Sequence, residues 1–185
     1  MAHVHLDGDL PGITGLLATY RETGSALGLL ADALLQRDDD LSRAERELLA
    51  AYVSRGNDCE FCTGAHGAVA RSYGDLAPDL VGQVLSGQDL ASIPGLSPRL
   101  LALLTLAGQV RLGGNEVQAS TVAQARDAGA TDLAIHDTVL IAAAFCMFNR
   151  YVDGLRTTVP PDPSFYDLGA DLIRRQGYGW PTAAH

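Results

Sequence analysis

The stretch GNDCEFCTGAHG, residues 56–67, holds two of the three cysteines of the chain, Cys59 and Cys62, with His66 four residues further on. Three chemistries use such a set. It can form a structural disulfide, half of a thiolate–imidazole metal site, or a redox pair in which one oxidised sulfur is closed into a disulfide by the other. Asn57 and Asp58 are strong N-cap residues, so a helix is expected to begin at about Cys59. On that helix Cys59, Cys62 and His66 stand at i, i+3 and i+7 and share one face. The positive end of a helix stabilises thiolates near it. His66, one turn beyond Cys62, is placed to take a thiol proton directly or through water.

A base of this kind needs an orienting partner, and the preceding segment AERELLAAYVSRGN supplies carboxylates. Glu47 and His66 lie at about 10 and 12 Å from the intervening turn at the helical rise, so an antiparallel hairpin sets them level. Glu47 stands in an otherwise apolar stripe with Ala50, Ala51, Val53 and Ser54, where a carboxylate would orient His66 in a nucleophile–base–orienter arrangement. Glu45 fits a different task, closing a capping box with Ser42 in "SRAE".

The elements that carry these residues all read as helices. Ala- and Leu-rich segments with helical periodicity cover 22–36, 42–54, 58–73, 78–86, 98–111, 115–128, 131–156 and 163–176. Breakers separate them at Asp38–Asp40, Gly56–Asp58, Gly74-Asp75, Pro94-Gly95, Gly113-Gly114, Gly129 and Pro160-Pro161. Thr131 or Asp132 caps the longest helix, and no alternation of β-branched residues points to a sheet. The expected fold is an all-α helical bundle in one domain spanning 1–185. A faint internal duplication runs through it. Sliding the chain by 55 residues aligns 41–85 with 96–140, and ten of the 45 positions are identical, from Leu41/Leu96 and Ser42/Ser97 to Gly74/Gly129 and Leu85/Leu140. The second copy carries Gly114, Val117 and Thr121 where the first has Cys59, Cys62 and His66. One copy therefore holds the chemistry and the other only packing.

Composition excludes several classes. The formal net charge is −9, which argues against nucleic acid, because phosphate binding needs clustered Lys and Arg. The N-terminus MAHVHLDGDLPG has neither the cationic nor the apolar region of a signal peptide. The apolar run VLIAAAFCMF, Val139–Phe148, is too short to span a bilayer. A cytoplasmic location without membrane partners is expected, where thiols stay reduced and a C-x-x-C pair is catalytic or metal-binding rather than structural. Haem attachment is excluded because Thr63, not a histidine, follows Cys62.

The pattern Glu47-x11-Cys59-x2-Cys62-x3-His66, inside LSRAERELLAAYVSRGNDCEFCTGAH, resembles the core motif of the AhpD-like alkylhydroperoxidases of the carboxymuconolactone decarboxylase superfamily. Downstream, AAAFCMFNRYVDGL (142–155) resembles the long helix of the peroxidase-related branch of that family. The resemblance covers about residues 40–160 and implies an all-helical homo-oligomer that needs no metal or organic cofactor. It also implies roles: Cys62 attacks a peroxide, Cys59 resolves the sulfenic acid as a disulfide, and His66 and Glu47 relay the proton. The implied partners are an organic hydroperoxide or hydrogen peroxide as substrate and an external dithiol (small-molecule, lipoyl or thioredoxin-like) as reductant. AhpD proteins carry a histidine just before the second cysteine. Phe61 stands there in this chain, which favours the peroxidase-related branch, and the superfamily's decarboxylases generally lack the cysteine pair. A protein disulfide reductase or redox sensor with the same pair, and a zinc-binding module, are the alternative readings. Of the remaining residues, Cys146 reads as a buried packing thiol, His136 and Asp137 as a solvated helix start, and Tyr151, Trp180 and the tail GYGW as cover for a hydrophobic seam.

Overall fold

The computed structural model describes residues 1–179, and every regular element among them is helical. The helices are α1 (Gly12–Thr19), α2 (Arg21–Leu35), α3 (Arg43–Gly56), α4 (Glu60–Tyr73), α5 (Leu80–Leu85), α6 (Pro98–Leu112), α7 (Ala119–Asp127), α8 (Asp132–Gly154) and α9 (Ser164–Gln176). Short 3-10 turns occupy Leu90–Ser92 and Gly114–Glu116. Two differences from the sequence reading have local causes. The helix expected over 115–128 is divided, because the Gly113-Gly114 breaker enters a 3-10 turn and α7 starts only at Ala119. Helix α1, GITGLLAT, was not expected at all, since eight residues with two glycines carry little helical signal.

The capping box expected at α3 forms. Ser42 Oγ accepts from the Glu45 N–H at 3.2 Å, and Glu45 accepts from the Ser42 N–H at 2.9 Å. Fifty-five residues later, Ser97 caps α6 by accepting from the Leu100 N–H at 3.2 Å, with Pro98 at the first helical position. The offset continues along the chain: α4 matches α7, α5 matches the first turns of α8, and Gly74 and Gly129 follow their helices with positive φ. The repeat seen in the residues is thus also a repeat of elements.

Packing assigns the two halves different tasks. Helices α3 and α4 form a close hairpin, α9 lies along α4, and α8 packs on both α3 and α6. Ile141, Ala142, Phe145 and Phe148 of α8 meet Leu48, Leu49, Leu103, Leu104 and Leu106 in one buried core. By length and composition α8 would suffice to cross a membrane, but half of its most apolar window is buried inside the bundle, and Asp137 is among its buried residues.

That aspartate corrects the reading of 136–137 as a solvated helix start. Arg46 is fully buried. Its guanidinium donates to the carbonyls of Leu34 (2.9 Å) and Leu41 (3.2 Å) and to the carboxylates of Asp39 (2.6 Å) and Asp137 (2.8 Å). Asp137 also accepts from Arg37, while His136 stays exposed beside it. This network ties the end of α2, the loop after it, α3 and α8 together. It fixes where the face of α3 that carries Glu47 points.

Candidate active site

The turn of the α3–α4 hairpin is built by Asn57 and Asp58, the latter with φ +58°. The sequence assigned these two residues to capping, but the N-cap of α4 is Cys59 itself, and the helix begins at Glu60. The Cys59 N–H donates to the Ser54 carbonyl at 3.0 Å, and the Cys59 carbonyl accepts from the Thr63 hydroxyl at 2.7 Å. Asn57 turns its side chain inward and donates to Asn149 Oδ1 at 2.9 Å, while Asn149 donates to Ser54 Oγ at 3.0 Å. The turn that carries Cys59 is therefore pinned to α8 rather than left as a free loop.

Both cysteines are reduced and buried, at 0% and 2% exposure for Cys59 and Cys62. Phe61 and Val152 enclose them, with Ile13, Phe165 and Tyr166 packed alongside. Tyr166 approaches α4 so closely that a Cβ at Gly64 would lie 2.6 Å from its ring; Gly64 is the seat of this cover. Burial pushes the Tyr166 hydroxyl up to about 12, helped by the charges of Glu60, Cys62 and Cys59. An open cleft of about 500 Å³ runs beside it, between Glu60 and Thr63 of α4 and the Pro160–Pro163 segment.

The Cys62 thiol is pushed above the ordinary thiol range, first by hydrogen bonding to the Cys59 sulfur and then by burial, with Asn149 pulling the other way. Asp153, at the end of α8, faces Cys59; burial raises its carboxyl, and the hydrogen bond to Cys59 opposes that rise.

Deeper along the hairpin, His66 Nδ1 lies 2.7 Å from Glu47 Oε2, with Glu47 fully buried. An ionised carboxylate only accepts, so Nδ1 carries the proton of this bond, which leaves Nε2 as the nitrogen that can exchange a proton. The imidazole meets the Phe145 ring edge-on, with centroids 4.6 Å apart. Glu45 is remote from this pair, engaged with Ser42 and with Arg99 at 3.1 Å. The structure thus brings Glu47 to His66 and packs Cys59 and Cys62 in one cluster, two turns and one turn before that histidine.

The family model of the carboxymuconolactone decarboxylase family matches the chain in two successive stretches, residues 21–82 and 83–159. The chain belongs to this family. The two matched stretches fall on the two halves of the repeat. A solved structure from Ralstonia eutropha JMP134, described as an alkylhydroperoxidase AhpD core and uncharacterized peroxidase-related protein, is 30% identical with a TM-score of 0.71; the match covers 87% of this chain and 82% of that one. An uncharacterized peroxidase-related protein from Silicibacter sp. TM1040 is 25% identical with a TM-score of 0.72, covering 85% and 78%. No curated protein matches. The chain accordingly sits in the AhpD-like, peroxidase-related branch of the carboxymuconolactone decarboxylase family.

In this family member three site residues were not singled out from the sequence. Asn149 and Asp153 lie four apart on the long helix and reach the two sulfurs, but nothing in a single sequence says which turn of α8 crosses the hairpin. Tyr178 is the third: its hydroxyl donates to Glu47 Oε1 at 2.8 Å and lies 3.1 Å from His66 Nδ1. Within the tail GYGW, assigned to seam cover, it packs on the core and also completes the site; Trp180 and the rest of the tail lie outside the described residues. Cys146 is half-buried rather than fully buried, with its sulfur between the Asn57 amide at 3.6 Å and the Arg111 carbonyl at 3.9 Å. Among the described residues no three His, Cys, Asp or Glu side chains converge to hold a metal ion.

Proposed function

We propose that this family member is a thiol peroxidase acting through the Cys59–Cys62 pair. The supporting observation is the placement of a buried, reduced thiol pair, its nearer member one turn before an imidazole held at 2.7 Å by a fully buried carboxylate. Taking a proton from the pair, His66 makes a Cys62 thiolate, which attacks one oxygen of ROOH. The O–O bond breaks, Cys62 becomes a sulfenic acid, and the leaving alkoxide takes the proton back from His66 as an alcohol. Cys59 then attacks the sulfenic sulfur, releasing water and forming the disulfide. An external dithiol, small-molecule, lipoyl or thioredoxin-like, reduces that disulfide by exchange and is itself oxidised. No metal or organic cofactor takes part. Burial of both sulfurs suits a small peroxide better than the disulfide of a folded protein, which favours this reading over a protein disulfide reductase.

One observation favours exchanged roles for the cysteines. Cys59 is the N-cap residue of α4 and so lies nearer the positive helix end than Cys62. We assign the attack to Cys62 because it is the thiol nearer the base, one helical turn from His66, and a positioned base outweighs part of a dipole effect of about 1 kcal/mol. The test is chemical trapping. Cys59→Ser should react once with peroxide and stall, with one added oxygen on Cys62 by mass spectrometry. If Cys62→Ser instead accumulates that oxygen on Cys59, the roles are reversed.

The same reading includes self-association. Leu133, Leu140 and Met147 are each at least 40% exposed and recur every seven residues on α8, one apolar stripe left uncovered among the described residues. A homo-oligomer with this stripe buried is proposed; light scattering at micromolar concentration should find it, and a pure monomer contradicts it.

A further inference from the structure

We infer that Tyr178 is a positioning residue of the Glu47–His66 pair, delivered to it by a strap that follows α9 and is anchored on α2. Each oxygen of Glu47 has its own partner: His66 Nδ1 on Oε2 at 2.7 Å and the Tyr178 hydroxyl on Oε1 at 2.8 Å. Tyr178 is partly buried against the main core. Burial, then the charge of Glu47, raises that hydroxyl well above the usual phenol range. It therefore stays protonated and acts only as a donor to the carboxylate. Its ring also stacks on the imidazole, with centroids 5.8 Å apart and planes 26° from parallel, so His66 is held between Tyr178 and the edge of Phe145.

The strap is built for this placement. The Tyr178 N–H donates to Asp32 Oδ1 of α2 at 2.7 Å. Gly177 before it has φ +73°, and a Cβ there would lie 2.4 Å from the same Asp32 oxygen. Only glycine lets the chain pass Asp32 this closely in the left-handed region. The C-terminal arm thus covers the site twice, with Phe165 and Tyr166 over the thiols and Tyr178 over the base.

Removing the hydroxyl has a predictable sign. The carboxylate charge is shared between two donors; with one gone, it acts undivided on the imidazole and stabilises its protonated form. The other titratable groups near the pair are Cys62 on the same helix, Tyr73, which feels the charges of Glu47 and Arg43, and Asp32 at the strap; α8 faces the imidazole with Phe145. Tyr178→Phe should keep the fold and lower the peroxide rate about tenfold or more, within the range of positioned proton transfer. Its acid limb in the rate–pH profile should move to higher pH. Titration of the His66 imidazole by NMR in the reduced protein should shift the same way, and Gly177→Ala, which displaces the strap, should reproduce that shift. The inference rests on the peroxidase reading for its rate alone. If the wild type consumes no peroxide, that reading fails, and the imidazole titration still decides the role of Tyr178. A Tyr178→Phe protein whose His66 titration superimposes on the wild type overturns it.

Discussion

Cys62→Ser is expected to abolish peroxide consumption, with residual turnover at least about a thousandfold below the wild type. An uncharged hydroxyl is a poor nucleophile toward an O–O bond, and no base one turn away can ionise serine as it can a thiol. The substitution replaces a 2%-exposed thiol with a group of similar size, so the fold should be retained. Cys146 is not expected to stand in, because its sulfur is engaged between the Asn57 amide and the Arg111 carbonyl. A stopped-flow trace at full rate in this variant removes Cys62 from the mechanism.

Glu47→Gln should lower the rate by about 10²- to 10⁴-fold, the span of positioned acid–base contributions. The amide keeps the volume of a fully buried side chain but loses the charge that stabilises protonated His66. It also presents an N–H₂ group to partners that now donate, His66 Nδ1–H or the Tyr178 hydroxyl. One of those bonds is lost. Glu45→Gln is the matched control: it weakens the cap of α3 and the contact with Arg99, 3.1 Å away, and should leave the rate within a few-fold. A larger loss in Glu45→Gln than in Glu47→Gln assigns the wrong carboxylate to His66.

Much of this architecture was legible in the residues because local rules governed it. Helix periodicity placed α3, α4, α6, α8 and α9 within two residues of their ends, and the Ser42–Glu45 box formed as expected. The level pairing of Glu47 with His66 followed from helical rise alone, since both sit on one hairpin. What was not legible depended on long-range crossings. Asn57 looked like a cap because its type caps helices, yet its partner is Asn149, 92 residues away. Asp137 looked solvated because it opens a helix, yet Arg46, buried 91 residues earlier, takes it. Tyr178 had no local signal beyond its flanking glycines, and Gly177 is explained only by Asp32, far off in sequence.

The most direct measurement is a thiol count on reduced wild-type protein before and after stoichiometric peroxide, read in stopped flow. One peroxide consumed should remove two of the three thiols, and mapping should find a Cys59–Cys62 disulfide with Cys146 still free. Peroxide loss with all three thiols retained, or thiol loss without peroxide loss, would contradict the proposed chemistry.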